Sequence, residues 1–384
     1  MIRDLATLLA PETPARFGDH FLRKVRFQVR STDRARAASL LPWPEINRLI
    51  EAYPPHRMQL VRSSNLVPPA LYRKDAGEGP PRAAALQAML RQGSTLVLNR
   101  IDGEVPSIGR LTAAIERELF CRVWANAYLS FGSGSALKAH YDLHNVLVLQ
   151  VDGRKRWQSY GIPVPHPVAL PTASEQGPGE SVWEDILEPG DVLYLPRGEV
   201  HAAALDGEDS VHITIGLKSY RGLDFTETIV RQAAENPLLR QDVPIAAGES
   251  AISEHEAALK RALHALIDRA NLNDCIGRDN AARRLRSLVN LGVTSSLQFD
   301  TIVEPAVRRR IALDLQSTNE VEVSIGGEIF RLSVGARLVL DFLLHHGECE
   351  FATVIGALEP RLSEPLARDA VSELARHGLV GIRT

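Results

Sequence analysis

Cysteine is scarce in this sequence of 384 residues, which contains only three. Cys121, Cys275 and Cys349 stand far apart, and this spacing excludes both a disulfide framework and a zinc site built on a Cys-x-x-Cys pair. The 44 Lys and Arg are outnumbered by 47 Asp and Glu, so the net charge of −3 provides no general attraction to nucleic acid. No apolar run approaches the roughly 18 residues of a membrane-spanning helix. The polar start at Met1–Asp4 is unlike a secretory leader, and a cytoplasmic protein is expected.

The predicted strands and helices divide the chain into four segments. Short strands separated by Gly- and Pro-containing turns dominate residues 93–222, which is typical of an antiparallel sandwich or barrel. Apolar residues three to four positions apart predict helices over residues 223–318. The predicted segments are an N-terminal α/β segment that packs on the core at 1–92, the core at 93–222, the helical segment at 223–318 and a last unit at 319–384.

The last unit has the element order of a winged helix. Val321–Ile325 and Glu328–Leu332 flank Gly326-Gly327, a two-residue hairpin signal, and three helical stretches and a terminal strand follow. Residues 320–384 hold six Arg and no Lys against ten Asp and Glu, a net charge of −4. Because phosphate contacts dominate DNA affinity, this charge predicts packing or protein contact and no direct DNA binding.

A histidine and a carboxylate open the apolar strand that we predict at His140–Gln150. In an extended strand, His140 and Asp142 point to one face and Tyr141 to the other. His201 follows 61 residues after His140, behind a turn, a strand and a second turn that direct it inward. Two imidazoles and one carboxylate on the same side of an octahedral iron leave three positions open, which suits a non-haem Fe(II) oxygenase.

Lys155 follows a predicted turn at Asp152-Gly153 and opens the next predicted strand, Lys155–Tyr160. Its side chain can reach across a narrow barrel to hold the far carboxylate of a co-substrate, whereas Arg154 and Arg156 alternate to the opposite, solvated face. A single His-x-Asp is more often a solvated or structural pair than a metal site. In combination with the later turns, strand and histidine, the pattern predicts a metal site.

The stretch His140–Trp157 resembles the JmjC-type cupin oxygenases and, within them, the ribosomal oxygenase branch, and Glu188–His201 is similar to the second motif of the same family. The resemblance implies a mixed α+β fold with a double-stranded β-helix (jelly-roll) core, a helical dimerisation segment and a C-terminal winged helix. It also implies Fe(II) as cofactor, 2-oxoglutarate and dioxygen as co-substrates, a homodimer, and hydroxylation of a protein side chain. A ribosomal protein is the suspected substrate.

The resemblance assigns roles to individual residues. His140, Asp142 and His201 match the iron ligands, and Lys155 matches the basic residue that pairs with the distal carboxylate of 2-oxoglutarate. The remaining co-substrate contacts are expected on neighbouring strands, from Tyr128, Thr214 and Asn126. Ordinary strand packing would also explain Tyr128 and Thr214, since aromatic and β-branched residues favour strands.

Three residues beside these motifs are interpreted separately. Asn145 stands where bacterial relatives often carry an acid, which would alter the substrate pocket or the surroundings of the metal ligands. His144 and His212 share strand faces with the site, but because the ligand set is already complete we interpret them as core histidines.

Three other functions stay open at this point. The same scaffold supports hydroxylation of a small peptide or a natural-product precursor. Demethylation of methyl-lysine uses the same iron chemistry on a different carbon. A non-enzymatic cupin with a winged helix for protein interaction is the alternative from another class, although such a module would not need the complete set of His140, Asp142, His201 and Lys155.

Overall fold

The computed structural model describes residues 2–132, 138–170, 179–282, 288–291, 297–308, 311, 313 and 315–383, and only the backbone of residue 208. The chain forms two compact units, Met1–Ser219 and Tyr220–Thr384. The finer division into four segments remains a prediction. No helix within the described residues is long and apolar enough to cross a membrane.

The first unit combines helices with a large antiparallel sheet. Its helices are α1 (Leu5–Leu9), α2 (Pro14–Arg23), α3 (Ala35–Ala38), α4 (Trp43–Ala52), α5 (Ala83–Arg91) and α6 (Pro106–Leu119). Its strands are β1 (Phe27–Val29), β2 (Met58–Arg62), β3 (Asn65–Leu66), β4 (Thr95–Leu98), β5 (Arg122–Phe131), β6 (Asn145–Ser159), β7 (Trp183–Leu187), β8 (Val192–Leu195) and β9 (His201–Lys218). They pair in the order β1-β8-β6-β9-β5-β4-β2-β3, and β7 pairs with β6.

Two long strands, β6 and β9, run through both halves of this sheet. The first half of β6 pairs with the second half of β9, and the second half of β6 pairs with the beginning of β9. Between the halves the register shifts twice, at Gln150/Asp152 and at Gly153/Lys155. Such bulges bend a strand and increase its twist. Lys155, beyond the bend, reaches Ser130 on β5 (Nζ–Oγ 3.1 Å), so the second half folds back over the first, as the expected jelly roll requires.

Period-two alternation decides which side chains face the interior of this unit. Along β5, Val123, Ala125, Ala127 and Leu129 are buried in a hydrophobic core shared with α1 and α6. The intervening residues face the space between the two halves of the sheet. The main sheet therefore has one face on helices and one face on a cavity, which places any site on the cavity side.

The boundaries predicted for the strands at 140–150 and 155–160 are wrong. The strand predicted at His140–Gln150 begins at Asn145, and it continues through the predicted turn at Asp152-Gly153 into the strand predicted at 155–160. The reason is the bulge, because Gly and Asp at this position turn the chain without ending the pairing with β9.

The second unit is built around its own core. Its helices are α7 (Gly222–Ala233), α8 (Glu249–Arg269), α9 (Leu272–Ala281), α10 (Val334–His346), α11 (Phe351–Leu358) and α12 (Glu364–Arg376). Its strands are β10 (Ile302–Pro305), β11 (Val321–Ile325), β12 (Glu328–Leu332), β13 (Cys349–Glu350) and β14 (Val380–Arg383). The predicted hairpin at Gly326-Gly327 is confirmed, since β11 and β12 pair around these two glycines, whose φ values are 67° and 85°.

The bulge in β6 gives a stability prediction. Gly153 has a φ of +62°, and a Cβ there would lie 1.9 Å from the backbone oxygen of Asp209 on β9. Gly153→Ala should lower the free energy of unfolding by about 3 kcal/mol or prevent folding, because the added carbon overpacks a backbone contact. The measurement is urea unfolding followed by tryptophan fluorescence, since Trp43, Trp124, Trp157 and Trp183 all lie in the first unit.

Gly161→Ala is the matched control for this prediction. Gly161 also has a positive φ, +80°, but nothing lies within 4 Å of a Cβ built on it. Its substitution should cost only the strain of a left-handed alanine, about 1 kcal/mol. If both variants lost the same free energy of unfolding, the close contact between position 153 and β9 would not be the cause of the destabilisation.

Candidate active site

The backbones of His140 and His201 bring the three predicted metal ligands together. His140 N donates to His201 O at 3.0 Å, and His201 N donates to His140 O at 2.8 Å, although His140 precedes the start of β6. Gly198 N donates to the backbone oxygen of Asp142 at 3.1 Å. One ligand atom of each side chain lies within 4.8 Å of the others, and His201 Nε2 is 3.8 Å from Asp142 Oδ2.

Both imidazoles are oriented by hydrogen bonds to backbone oxygens. His140 Nδ1 lies 2.9 Å from Lys138 O, and His201 Nδ1 lies 2.9 Å from Glu199 O. A neutral ring that donates from Nδ1 keeps the lone pair of Nε2 for a metal ion. Burial, together with the neighbouring His140, lowers the pKa of His201 to about 4 against the opposing effect of Asp142, so this ring is neutral at physiological pH. The donor set of two imidazoles and a carboxylate fits Fe(II).

Buried side chains hold the turn that carries His201. Asn145 Oδ1 accepts from Arg197 N and from Tyr194 Oη, each at 3.1 Å. Glu199 is paired with Arg26 and accepts from Ser159 Oγ at 2.5 Å. Asn145 is not among the residues that line the cavity beside the ligands, so its contacts favour the second interpretation given above, an effect on the surroundings of the metal ligands. An amide serves here because it accepts from two donors and donates to a strand carbonyl at the same position.

A cavity of about 230 Å³ lies between the two halves of the sheet, beside the three ligands. The register of β5 and β9 sets Asn126 opposite Thr214 and Tyr128 opposite His212. These four side chains line the cavity, so the structure brings Tyr128, Thr214 and Asn126 to one wall as the sequence predicted. Asn126 Oδ1 also accepts from Arg100 N at 2.9 Å, which fixes its amide.

Lys155 brings a positive charge into this cavity from the opposite wall. The residue is 5% exposed, and its Nζ donates to Ser130 Oγ at 3.1 Å. No carboxylate of the described residues forms an ion pair with it, and burial lowers its pKa to about 7. Because a buried charge is costly without a partner, this arrangement fits an anionic ligand that supplies the missing carboxylate.

Tyr128 contributes a hydroxyl that stays protonated. Burial, with a smaller effect of the Asp142 charge, raises the pKa of Tyr128 to about 12. At physiological pH the phenol is therefore a donor that an oxyanion in the cavity can use.

Sequence reasoning missed several residues that line the cavity, among them Thr95, Ser130 and His212, and His144 also lines the cavity, so its interpretation as a core histidine is wrong. Ser130 and Thr95 are hydrogen-bonded to each other at 2.8 Å (Oγ–Oγ1), and His212 lies next to Lys155 rather than in the apolar core. The signal was present for two of them. Period-two counting from Tyr128 reaches Ser130, and counting back from Thr214 reaches His212.

Comparisons with known proteins find a JmjC domain in the region that contains this site. Residues 103–225 match the family model of the JmjC domain. The bifunctional lysine-specific demethylase and histidyl-hydroxylase NO66 of Drosophila grimshawi is 39% identical over 119 residues, which cover 29% of this chain and 16% of that protein. Ribosomal oxygenase 1 of Rattus norvegicus is 30% identical over 254 residues, which cover 62% of this chain and 41% of that protein.

Similarity to a solved structure extends over nearly the whole chain. The Escherichia coli ribosomal oxygenase YcfD, solved in complex with cobalt and 2-oxoglutarate, superimposes with a TM-score of 0.59 at 14% sequence identity and covers 96% of this chain and 98% of that one. The chain spans less than half the length of the curated relatives it matches. Residues 103–225 are thus similar to a JmjC domain, and the chain shares the fold of the solved YcfD structure.

Proposed function

We propose that this chain is an Fe(II)- and 2-oxoglutarate-dependent oxygenase that hydroxylates a protein side chain, with a ribosomal protein as substrate. One observation carries the proposal. His140, Asp142 and His201 present ligand atoms within 4.8 Å of one another, in the same cavity as a buried lysine that lacks a carboxylate partner among the described residues. A metal ion would complete the coordination by the three ligands, and a dicarboxylic acid would supply the carboxylate partner of the lysine.

Each residue has a role in this proposal. His140, Asp142 and His201 hold the iron from one side. Lys155 pairs with the distal carboxylate of 2-oxoglutarate. When bound, Fe(II) and 2-oxoglutarate supply, with dioxygen, the oxidising power that inserts one oxygen atom into a C–H bond. The remaining contacts to the co-substrate carboxylate come from the hydroxyls of Tyr128 and Thr214, with Asn126 beside them.

The protein contributes position and the exclusion of water. The cavity lies between two packed halves of one sheet, so a ligand inside it exchanges water for fixed donors. Burial removes Lys155 from water already in the free protein, and this desolvation costs free energy. The carboxylate of the bound ligand offsets that cost. Fixed donors of this kind favour one orientation of the co-substrate, with its distal carboxylate away from the metal ligands.

The substrate class rests on the relatives. Proteins named ribosomal oxygenase 1 from rat and human are both 30% identical to this chain over about 250 residues. Ribosomal proteins are basic, and the net charge of −3 on this chain suits such a partner. The expected location is the cytoplasm.

The second unit serves assembly and protein contact in this proposal. The helical segment forms a homodimer, which agrees with exposed apolar side chains on α7 and α8, among them Val230, Leu263 and Ile267. Residues 319–384 form a winged helix. The net charge of −4 over residues 320–384 favours protein contact over DNA.

Turnover without a substrate tests the enzyme directly. Purified protein should convert 2-oxoglutarate to succinate only with Fe(II) and dioxygen, measured by mass spectrometry or nuclear magnetic resonance. His140→Ala should abolish this conversion because it removes a metal ligand, whereas His56→Ala, at an exposed histidine outside the cavity, should not change it. If the wild-type protein bound neither iron nor 2-oxoglutarate without oxygen, the proposal would be wrong.

The affinity for 2-oxoglutarate should depend on pH through Lys155. The free protein loses the lysine proton above pH 7, because burial lowers its pKa to about 7, but the bound carboxylate needs the ammonium form. The affinity should be constant between about pH 6 and pH 7 and then fall by up to about tenfold per pH unit. Anaerobic titration with Mn(II) in place of Fe(II) measures the Kd.

Lys155→Arg is the control for the pH dependence. Arginine stays charged at every pH of the titration, so the affinity of this variant should not fall between about pH 7 and pH 9. The same pH dependence in both proteins would assign the titration to another group.

A mass shift in a ribosomal protein tests the substrate. Ribosomal proteins from cells with the gene should carry a residue heavier by about 16 Da, one oxygen atom, which is missing from cells that lack the gene or carry only His140→Ala. Loss of methyl groups from lysine in place of this gain would indicate demethylation. Ribosomal proteins that are identical in the three strains would exclude them as substrates.

A further inference from the structure

His212 stands between Lys155 and Tyr128 on the wall of the cavity. It lies on β9, directly opposite Tyr128 on β5, and is 3% exposed. Its Nδ1 is 3.4 Å from Lys155 Nζ. Its ring stacks on the Tyr128 ring, with 4.8 Å between centroids and 5° between planes, and meets the Trp157 ring edge-on at 5.5 Å.

The protonation state of His212 follows from these neighbours. Burial and the nearby Lys155 charge lower the pKa of His212 well below its usual value, so the ring is neutral. An ammonium group has only donors to offer, so Nδ1 accepts from Lys155 and the ring hydrogen lies on Nε2. A neutral acceptor orients the lysine without cancelling its charge. A carboxylate in the same place would pair with Lys155 and exclude an anionic ligand.

The donors of Lys155 can be counted. An ammonium group has three N–H bonds. Ser130 Oγ, at 3.1 Å, accepts from one, and His212 Nδ1 accepts from a second. Within the described part of the chain, the third has no partner, and Lys155 lines the cavity. One donor is therefore left for a ligand, with its direction set by the other two.

We propose that His212 is a positioning residue for the co-substrate: it fixes Lys155 Nζ and the Tyr128 ring so that both meet the distal carboxylate of 2-oxoglutarate. This inference rests on the proposed function. It replaces the interpretation of His212 as a core histidine. His212 acts through its two neighbours, and the stacked Tyr128 ring and the acceptor Nδ1 are separate contributions that substitutions can remove one at a time.

Two substitutions separate these contributions. His212→Phe keeps a planar ring against Tyr128 and Trp157 but removes the acceptor for Lys155. His212→Asn keeps an acceptor near the position of Nδ1 but removes the stacked ring. We expect His212→Phe to weaken 2-oxoglutarate binding roughly tenfold, because Lys155 is then no longer held in the orientation that meets the carboxylate, and His212→Asn to weaken it less.

A second ligand distinguishes the loss of a contact with the distal carboxylate from a general packing defect. 2-Oxobutanoate has the same 2-oxo acid end as 2-oxoglutarate but no distal carboxylate. The Kd of each ligand is measured without oxygen in the presence of Mn(II), by calorimetry or by tryptophan fluorescence. His212→Phe should weaken 2-oxoglutarate only. Equal weakening of both ligands would mean that His212 only packs, and the proposal would be overturned.

A double substitution tests whether His212 acts through Lys155. In a Lys155→Met background, His212→Phe should have no further effect on 2-oxoglutarate affinity, because the donor it orients is gone. Additive losses would overturn the proposal. Ser130→Ala, which removes the other acceptor of Lys155, gives an independent variant if His212→Phe does not fold, and it should show the same preference for weakening 2-oxoglutarate over 2-oxobutanoate.

The wild-type titration separates this inference from the function on which it rests. Wild-type protein that binds no 2-oxoglutarate would overturn both. Wild-type protein that binds it, with His212→Phe binding equally well, would overturn the role of His212 and leave the oxygenase proposal intact.

Discussion

The pairing of β6 with β9 is the constraint on which the site depends. These strands are antiparallel over almost their whole length, and the bulge around Gly153 folds one half of the pair over the other. At one end of the ladder His201 pairs with Ser159, and a separate backbone bridge joins His201 to His140. The ladder thus closes the cavity and positions His201 for this bridge, so a shift in register would separate the ligands and turn the cavity residues to the other face.

Hydrogen bonds and an ion pair hold the site in place, in addition to the packing of the hydrophobic core. The turn before His201 is tied to Asn145, to Arg26 and to the backbone of Asp142, and both imidazoles are set by backbone oxygens. Opposite them, a lysine is buried without a carboxylate partner among the described residues. A charge buried without an opposite charge lowers the stability of the free protein. Such a cost is typical of a site prepared for a charged ligand.

Much of this could be predicted from the sequence, because the relevant patterns are local. The family resemblance pointed to Tyr128 and Asn126 on β5, and the Gly-Gly pair identified the hairpin of β11 and β12. Strand boundaries were harder to predict. Asp152-Gly153 has the composition of a turn, and only pairing with β9 makes it a bulge inside a strand. For Asn145 the sequence left two interpretations open, since its partners Tyr194 and Arg197 are about 50 residues away.

The sequence by itself determined the candidate site residues: two histidines, a carboxylate and a lysine at a spacing that resembles the JmjC-type oxygenases. It could do so because period-two geometry and motif spacing depend on neighbouring residues. Only the tertiary structure decided that Lys155 meets Ser130 and His212, because these contacts join strands that are far apart in the chain. Burial on both sides of a closed sheet gives that lysine its lowered pKa, and no local pattern records it.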